Sequence, residues 1–209
     1  MQELLVFTDY ICPWCYLGRA RVRPLTERFA LRARHVHFPL HPGVPAEGIA
    51  LSALFAGRPI DLQSSWQRLG AALGAEGLPF APHDRTYRTR EAQELAAWAD
   101  GVGGPSLHDH LFHAVFAEGQ NIGDPDVLVE IAARAGHSRA AATAALESKA
   151  GAAQVEADHA LARQIGVRSV PTFVIGRHGV AGAQPLEVLE SLARQAGVAA
   201  RDDGATTHP

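Results

Sequence analysis

Cys12-Pro13-Trp14-Cys15 stands just after an apolar run, Leu4-Leu5-Val6-Phe7, and holds the only two cysteines of the 209-residue chain. This spacing suits a reversible intramolecular disulfide. A structural disulfide stabilises more as the loop it closes grows longer, so a bridge between Cys12 and Cys15 would gain little that way. The pair is therefore present for its chemistry, and the segments around it have to position two sulfurs.

Glu3 to Thr8 reads as a short buried strand. Asp9, Tyr10 and Ile11 form a loop to the cysteines. Pro13 falls at a first helical position, where a missing N–H costs nothing. The helix continues through Tyr16, Leu17, Ala20, Val22, Leu25 and Phe29, with Pro24 placed to kink it. Arg34 to Phe38 alternates as a second strand. Helical patterns follow at Leu62–Leu73, Arg90–Ala99 and Leu107–Ala117. Asp124 caps a helix that opens on Pro125, and Ser138 caps another. An Ala-rich helix ends near Ile165. Thr172-Phe173-Val174-Ile175 and Val180-Ala181 then make a hairpin across Gly176–Gly179. Pro185 to Ala196 is a terminal amphipathic helix. The order βαβ, helical block, α, ββα predicts an α/β, thioredoxin-like fold with a large all-helical insertion. The expected division is 1–40 with 147–200 for the thioredoxin-like part, 41–146 for the insertion, and 201–209 for a disordered polar tail.

Composition excludes several functions. Hydrophobic residues make up 47%, charged residues 20%, and the formal net charge is −3. That balance points neither to nucleic acid nor to an anionic membrane surface. The N-terminus lacks the basic segment of a secretory signal, and Asp9 interrupts its apolar run. No stretch approaches the ~20 apolar residues of a membrane span. The expectation is a mature chain that starts at Met1 and works in the cytosol, where close cysteine pairs are more often catalytic or metal-binding than structural.

At a strand-to-helix junction the two sulfurs acquire different roles. Unpaired N–H groups and the positive end of the helix dipole favour an anion at Cys12. Cys12 is thus expected to be the exposed, attacking thiol with a lowered pKa, and Cys15, one turn deeper, the resolving thiol that releases the substrate. Pro13 stiffens the turn and Trp14 adds apolar surface at its mouth. Val170-Pro171-Thr172 enters the late strand; taken alone, a proline there is either a trans residue opening an edge strand, which the frequency of cis bonds favours, or a deliberate backbone feature such as a cis bond.

Cys12-Pro13-Trp14-Cys15 after a first strand, Asn121-Ile122-Gly123-Asp124-Pro125, Ser169-Val170-Pro171-Thr172-Phe173 and Gly182-Ala183-Gln184-Pro185, in this order, resemble the DsbA family of thioredoxin-fold oxidoreductases, and within it the cytosolic FrnE-like subgroup. The resemblance covers about residues 3 to 197. It implies a cis Val170–Pro171 bond facing the cysteines. Pro171 would pack on Cys12 and keep metal from the thiols, and the Val170 backbone would offer hydrogen bonds to an extended substrate peptide. Thr172, beside it, and Tyr16, next to the motif, are further candidates to line the substrate groove; Tyr16 has core packing as an equal reading. The implied partners are protein or peptide thiols and disulfides. No cofactor is expected beyond the redox pair, and glutathione or a thioredoxin system would supply electrons. The chain departs from the family at Val6, where a buried acid is usual; Asp9 is a weak substitute for it, and a loop-capping role there is at least as good a reading. It also lacks the C-terminal cysteines of some FrnE-like proteins.

Other candidates are weaker. His110 and His113 are helix neighbours, but His108 points away from His110, so a solvated face outweighs a metal site. His35 and His37 share one strand face without a third ligand. Zinc on Cys12 and Cys15 would need two more ligands. Trp66 and Trp98 read as core, and the helical block is available as a homodimer face. A glutathione-dependent isomerase or transferase of the kappa-class type, including 2-hydroxychromene-2-carboxylate isomerases, is the alternative function. Those enzymes typically carry Ser at the Cys12 position and no resolving cysteine, so retention of both thiols favours a dithiol–disulfide oxidoreductase or isomerase. A binding protein that keeps the motif for stability is the remaining option.

Overall fold

A computed structural model of the chain describes residues 1–201. The expected polar tail, apart from Arg201, lies outside the described residues. Arg201 itself is fastened: its N–H donates to Arg28 O at 2.8 Å and its Nε to Phe29 O at 3.0 Å.

Leu4 to Phe7 are apolar in succession because strand β1 (Gln2–Thr8) is covered on both faces. Leu4 and Val6 point into one core cluster, with Val22, Leu25, Phe173, Ile175, Leu189 and Leu192. Phe7 points into the other, which extends through the insertion. Helix α1 (Pro13–Arg28) runs unbroken past Pro24 and leads to strand β2 (Leu31–His37). The β2 strand lies parallel to β1, with Gln2 opposite Leu31 and Thr8 opposite His37. It starts earlier than the Arg34–Phe38 alternation suggests, because the pairing with β1 carries the ladder back to Leu31.

The insertion then follows. Helices α2 (Leu51–Leu54), α3 (Leu62–Ala75), α4 (Arg90–Gly101), α5 (His108–Phe116), α6 (Pro125–Ala135) and α7 (Arg139–Glu147) account for most of it. The all-helical expectation needs one correction: β3 (Ile49–Ala50) and β4 (Arg85–Thr86) form a two-residue antiparallel ladder. Two residues are too few to produce a period-two pattern. The Asp124 and Ser138 caps are present as expected, accepting from Asp126 N and Ala141 N.

Helix α8 (Ala152–Ile165) packs on β2 and α4. Its start approaches α4 so closely that a Cβ on Gly151 would fall 1.9 Å from Glu94 O. Strands β5 (Thr172–Ile175) and β6 (His178–Ala181) form the hairpin, with Gly176 at φ 58 in its turn. Helix α9 (Leu186–Gln195) closes the fold over the first cluster. The main sheet has the order β2-β1-β5-β6, with β5 antiparallel to β1. Phe7 is paired with Thr172, so the end of β1 and the start of β5 lie side by side, and the segments that follow and precede them meet. Among the described residues no helix is long and apolar enough to cross a membrane.

Candidate active site

The cysteines sit where the chain leaves β1. Cys12 is the N-cap of α1, extended at φ −90 and ψ 110, and Pro13 occupies the first turn. The Cys12 N–H donates to Asp9 O at 3.1 Å, which closes the loop; Cys12 O accepts from Cys15 N at 2.9 Å, which starts the helix. Both thiols are free.

The Val170–Pro171 bond is cis, the isomer the family resemblance implies. The Cys12 thiol donates to Val170 O at 3.5 Å, so the two segments meet at the sulfur. Pro171 O accepts from Gly182 N at 2.7 Å. Arg21 Nη1 donates to Ala183 O at 2.8 Å and Gln184 O at 2.6 Å. The Gly182–Gln184 segment thereby braces Pro171 and is itself tied to α1. Gly18 completes this packing: a Cβ there would lie 3.1 Å from Phe173 Cζ and 3.2 Å from Pro171 Cγ. Gly18 is a site-shaping residue that sequence reading missed, since a glycine inside a helix gives no sign of what faces it.

The expected contrast in exposure between the thiols is corrected. Cys12 is 4% exposed and Cys15 2%, because the Val170–Pro171 segment covers the first sulfur as the core covers the second. Trp14, at 43%, is the member of the motif that faces solvent. Burial pushes the Cys15 thiol well above the ordinary range, and the neighbouring Cys12 sulfur adds to the effect. The Asp9 N–H and the Thr8 hydroxyl work the other way.

Val6 is buried in the first core cluster, and the polar groups that act on the Cys15 thiol are the Cys12 sulfur, the Asp9 N–H and the Thr8 hydroxyl. Asp9 is fully buried, but its carboxylate turns to the insertion: Oδ2 accepts from Leu40 N at 2.9 Å and from the Thr89 hydroxyl at 3.3 Å. Burial raises its pKa to about 6 against these hydrogen bonds. The geometry supports the loop-fastening reading of Asp9.

Tyr16 does not open on a groove. Its ring stacks against both Phe112 and Phe116, and its hydroxyl donates to Pro79 O at 3.3 Å. It sits on the inward face of α1, so the substrate-groove expectation gives way to core packing. The Thr172 hydroxyl turns back onto Ser169 O at 2.7 Å, bracing the segment that carries Val170. His108 points inward, with both ring nitrogens engaged by Tyr10 and Asp100, while His113 pairs with Glu118 on the surface. Among the described residues no group of three or more His, Cys, Asp or Glu side chains is arranged to hold a metal. Trp66 and Trp98 are partly buried against the larger core, their rings tilted against Phe80 and His137 respectively.

Comparison with known proteins agrees with this architecture. Residues 3–194 match the family of the DSBA-like thioredoxin domain. A probable DsbA oxidoreductase from Streptomyces coelicolor is 31% identical and superposes with a TM-score of 0.85, over 94% of this chain and 90% of that one. Two more distant structures share the fold. A 2-hydroxychromene-2-carboxylate isomerase is 19% identical, with a TM-score of 0.70 over 92% of this chain and 95% of its own. The cytosolic disulfide reductase DsbM from Pseudomonas aeruginosa is 19% identical, with a TM-score of 0.65 over 92% and 99%; it has also been solved with GSH. From its first strand to its last helix, the chain belongs to the DSBA-like thioredoxin domain family.

Proposed function

We propose that the protein is a dithiol–disulfide oxidoreductase of the FrnE-like branch, working in the cytosol on protein or peptide disulfides through Cys12 and Cys15. The observation that carries this reading is the meeting of both free thiols at the start of α1 with the Val170 carbonyl, 3.5 Å from the Cys12 sulfur. In the reducing direction, Cys12 as thiolate attacks one sulfur of the substrate disulfide. A Cys12–substrate S–S bond forms, the substrate bond breaks, and the first substrate thiolate leaves. Cys15 then loses its proton and attacks the Cys12 sulfur, the Cys12–Cys15 bond forms, the mixed disulfide breaks, and the second substrate sulfur leaves and takes up that proton; the two substrate thiols together hold the two electrons the pair has given up. Glutathione or a thioredoxin system would reduce the pair again. Isomerisation uses the same first step, with a substrate thiol in place of Cys15.

Burial keeps the Cys15 proton in place until the mixed disulfide forms. Its polar neighbours are the Thr8 hydroxyl and the Asp9 N–H, which can stabilise the thiolate as it develops. The Val170 backbone would pair with an extended substrate beside the sulfurs, and exposed Trp14 would contact its apolar side chains.

Purified protein should catalyse thiol-dependent reduction of insulin disulfides. Cys12→Ser should abolish it, and Cys15→Ser should accumulate a mixed disulfide visible by mass. Turnover at the wild-type rate in Cys12→Ser would sink the proposal. The reduction potential of the pair against glutathione would set the direction of electron flow.

A further inference from the structure

Under the loop that carries Cys12 lies a buried chain of polar groups that disulfide exchange does not use. At its centre is Tyr10, two residues before Cys12 and fully buried. The Tyr10 oxygen is 2.7 Å from His108 Nδ1 and 3.3 Å from His37 Nε2. His108 Nε2 reaches Asp100 Oδ2 at 3.1 Å. His37 Nδ1 reaches Asp158 Oδ2 at 2.9 Å, and Asp158 also accepts from Arg34 at 2.6 Å and Gln154 at 2.9 Å. The chain joins the Cys12 loop to β2, the insertion and α8.

Counting hydrogens along it exposes a shortage. Burial pushes both carboxyls up, but their hydrogen bonds and neighbouring charges outweigh it and hold Asp100 and Asp158 below the ordinary range. Both are ionised and can only accept, so His108 Nε2 and His37 Nδ1 carry hydrogens. The two remaining ring nitrogens face one phenol. Burial raises the Tyr10 phenol well above its usual range, so it keeps its single proton. That proton can serve only one histidine, and the shorter contact assigns it to His108. A neutral His37 would then set a lone pair against the phenolic oxygen in a place sealed from water, which is costly.

We propose that His37 carries both ring protons at neutral pH, as an imidazolium clasped between Asp158 and Tyr10, and that this proton fastens the Cys12 loop. The surrounding charges call for it. Asp9 of the loop, Asp100 of α4 and Asp158 of α8 are negative; Arg34 of β2 and Arg19 of α1 are positive, and Arg19 is already paired with Asp109. Burial holds His35, His108 and His159 below their ordinary range, and therefore neutral. With Arg19 taken by Asp109, Arg34 alone stands against three carboxylates; two positive charges are missing, and His37 supplies one of them. Its partner Asp158 is 1% exposed, whereas Asp100 is 45% exposed and partly neutralised by water, which favours His37 over His108. His37 and Tyr10 thus become positioning residues for Cys12; that half of the proposal rests on the redox reading of Cys12.

The test is side-chain 15N NMR of histidine-labelled full-length protein across a pH titration. At neutral pH both His37 nitrogens should resonate as protonated, and Tyr10→Phe should lower the His37 midpoint by about one pH unit, a tenfold change. Alkylation of Cys12, followed in parallel, should show a break at the His37 midpoint that moves with it in Tyr10→Phe. An unprotonated His37 nitrogen in the wild type at neutral pH overturns the proposal, whether or not the variant folds. A His37 titration that leaves Cys12 alkylation unchanged overturns the positioning role. The NMR readout involves no disulfide exchange, so it fails or holds independently of the oxidoreductase assignment.

Discussion

Gly18→Ala tests how the site is held together. The substitution adds one methyl group on the buried face of α1, 3.1 Å from Phe173 Cζ and 3.2 Å from Pro171 Cγ. Carbon atoms settle at roughly 3.5–4.0 Å, so both neighbours have to retreat by a few tenths of an ångström. Phe173 is fully buried between sheet and helices and cannot move freely. The Pro171 ring gives way instead, and it carries the Val170 carbonyl that meets the Cys12 sulfur. Two terms oppose each other in stability. Alanine gains about 0.8–1.0 kcal/mol over glycine inside a helix, and overpacking costs about 1–3 kcal/mol. The net should be a loss of about 1 kcal/mol, or ~2–4 °C in melting temperature for a chain of this size. Activity should suffer more. Displacing the Val170 carbonyl should cost about tenfold in kcat/KM for insulin reduction, equivalent to ~1.4 kcal/mol of transition-state stabilisation. Urea melts and the turbidity assay, run on the same preparation, read both quantities. A variant about 1 kcal/mol more stable than wild type and equally active would refute the packing account, because helix propensity alone would then describe the position.

Asp9→Asn should change the pH dependence of stability. With the Asp9 pKa raised from 3.8 to about 6 in the folded state, the folded protein keeps a proton that the unfolded chain releases. Stability therefore falls as pH rises between about 4 and 6, by on the order of 3 kcal/mol for this residue. The buried neutral histidines His35 and His108 act with the opposite sign, losing stability as pH falls, so the measurement is the difference between wild type and variant. The downward contribution should vanish in Asp9→Asn; an unchanged difference across that window would refute the burial argument. Tyr16→Phe should remove the hydrogen bond to Pro79 O at a cost of about 0.5–1.5 kcal/mol in urea unfolding, and leave KM for insulin unchanged. A rise in KM would return Tyr16 to the substrate groove.

Most of the elements and the pair of sulfurs are legible in the sequence, but the two-residue strands β3 and β4 are not. Consecutive Leu4 to Phe7 required a buried strand, Pro13 marked the first turn of a helix, and the only two cysteines flank that turn. Asp124-Pro125 and Ser138 announced their helices because capping is a local hydrogen bond between near neighbours. Tertiary structure alone decided what surrounds the sulfurs. Nothing local states that Gly18 faces Pro171, that Tyr16 packs against Phe112 and Phe116, or that Cys12 is almost as buried as Cys15. The His37–Tyr10–His108 chain joins residues from three separate segments, and their separation in sequence hid it. Periodicity and propensity act over a few residues, whereas burial, charge balance and hydrogen-bond supply belong to groups that meet only when the chain has closed.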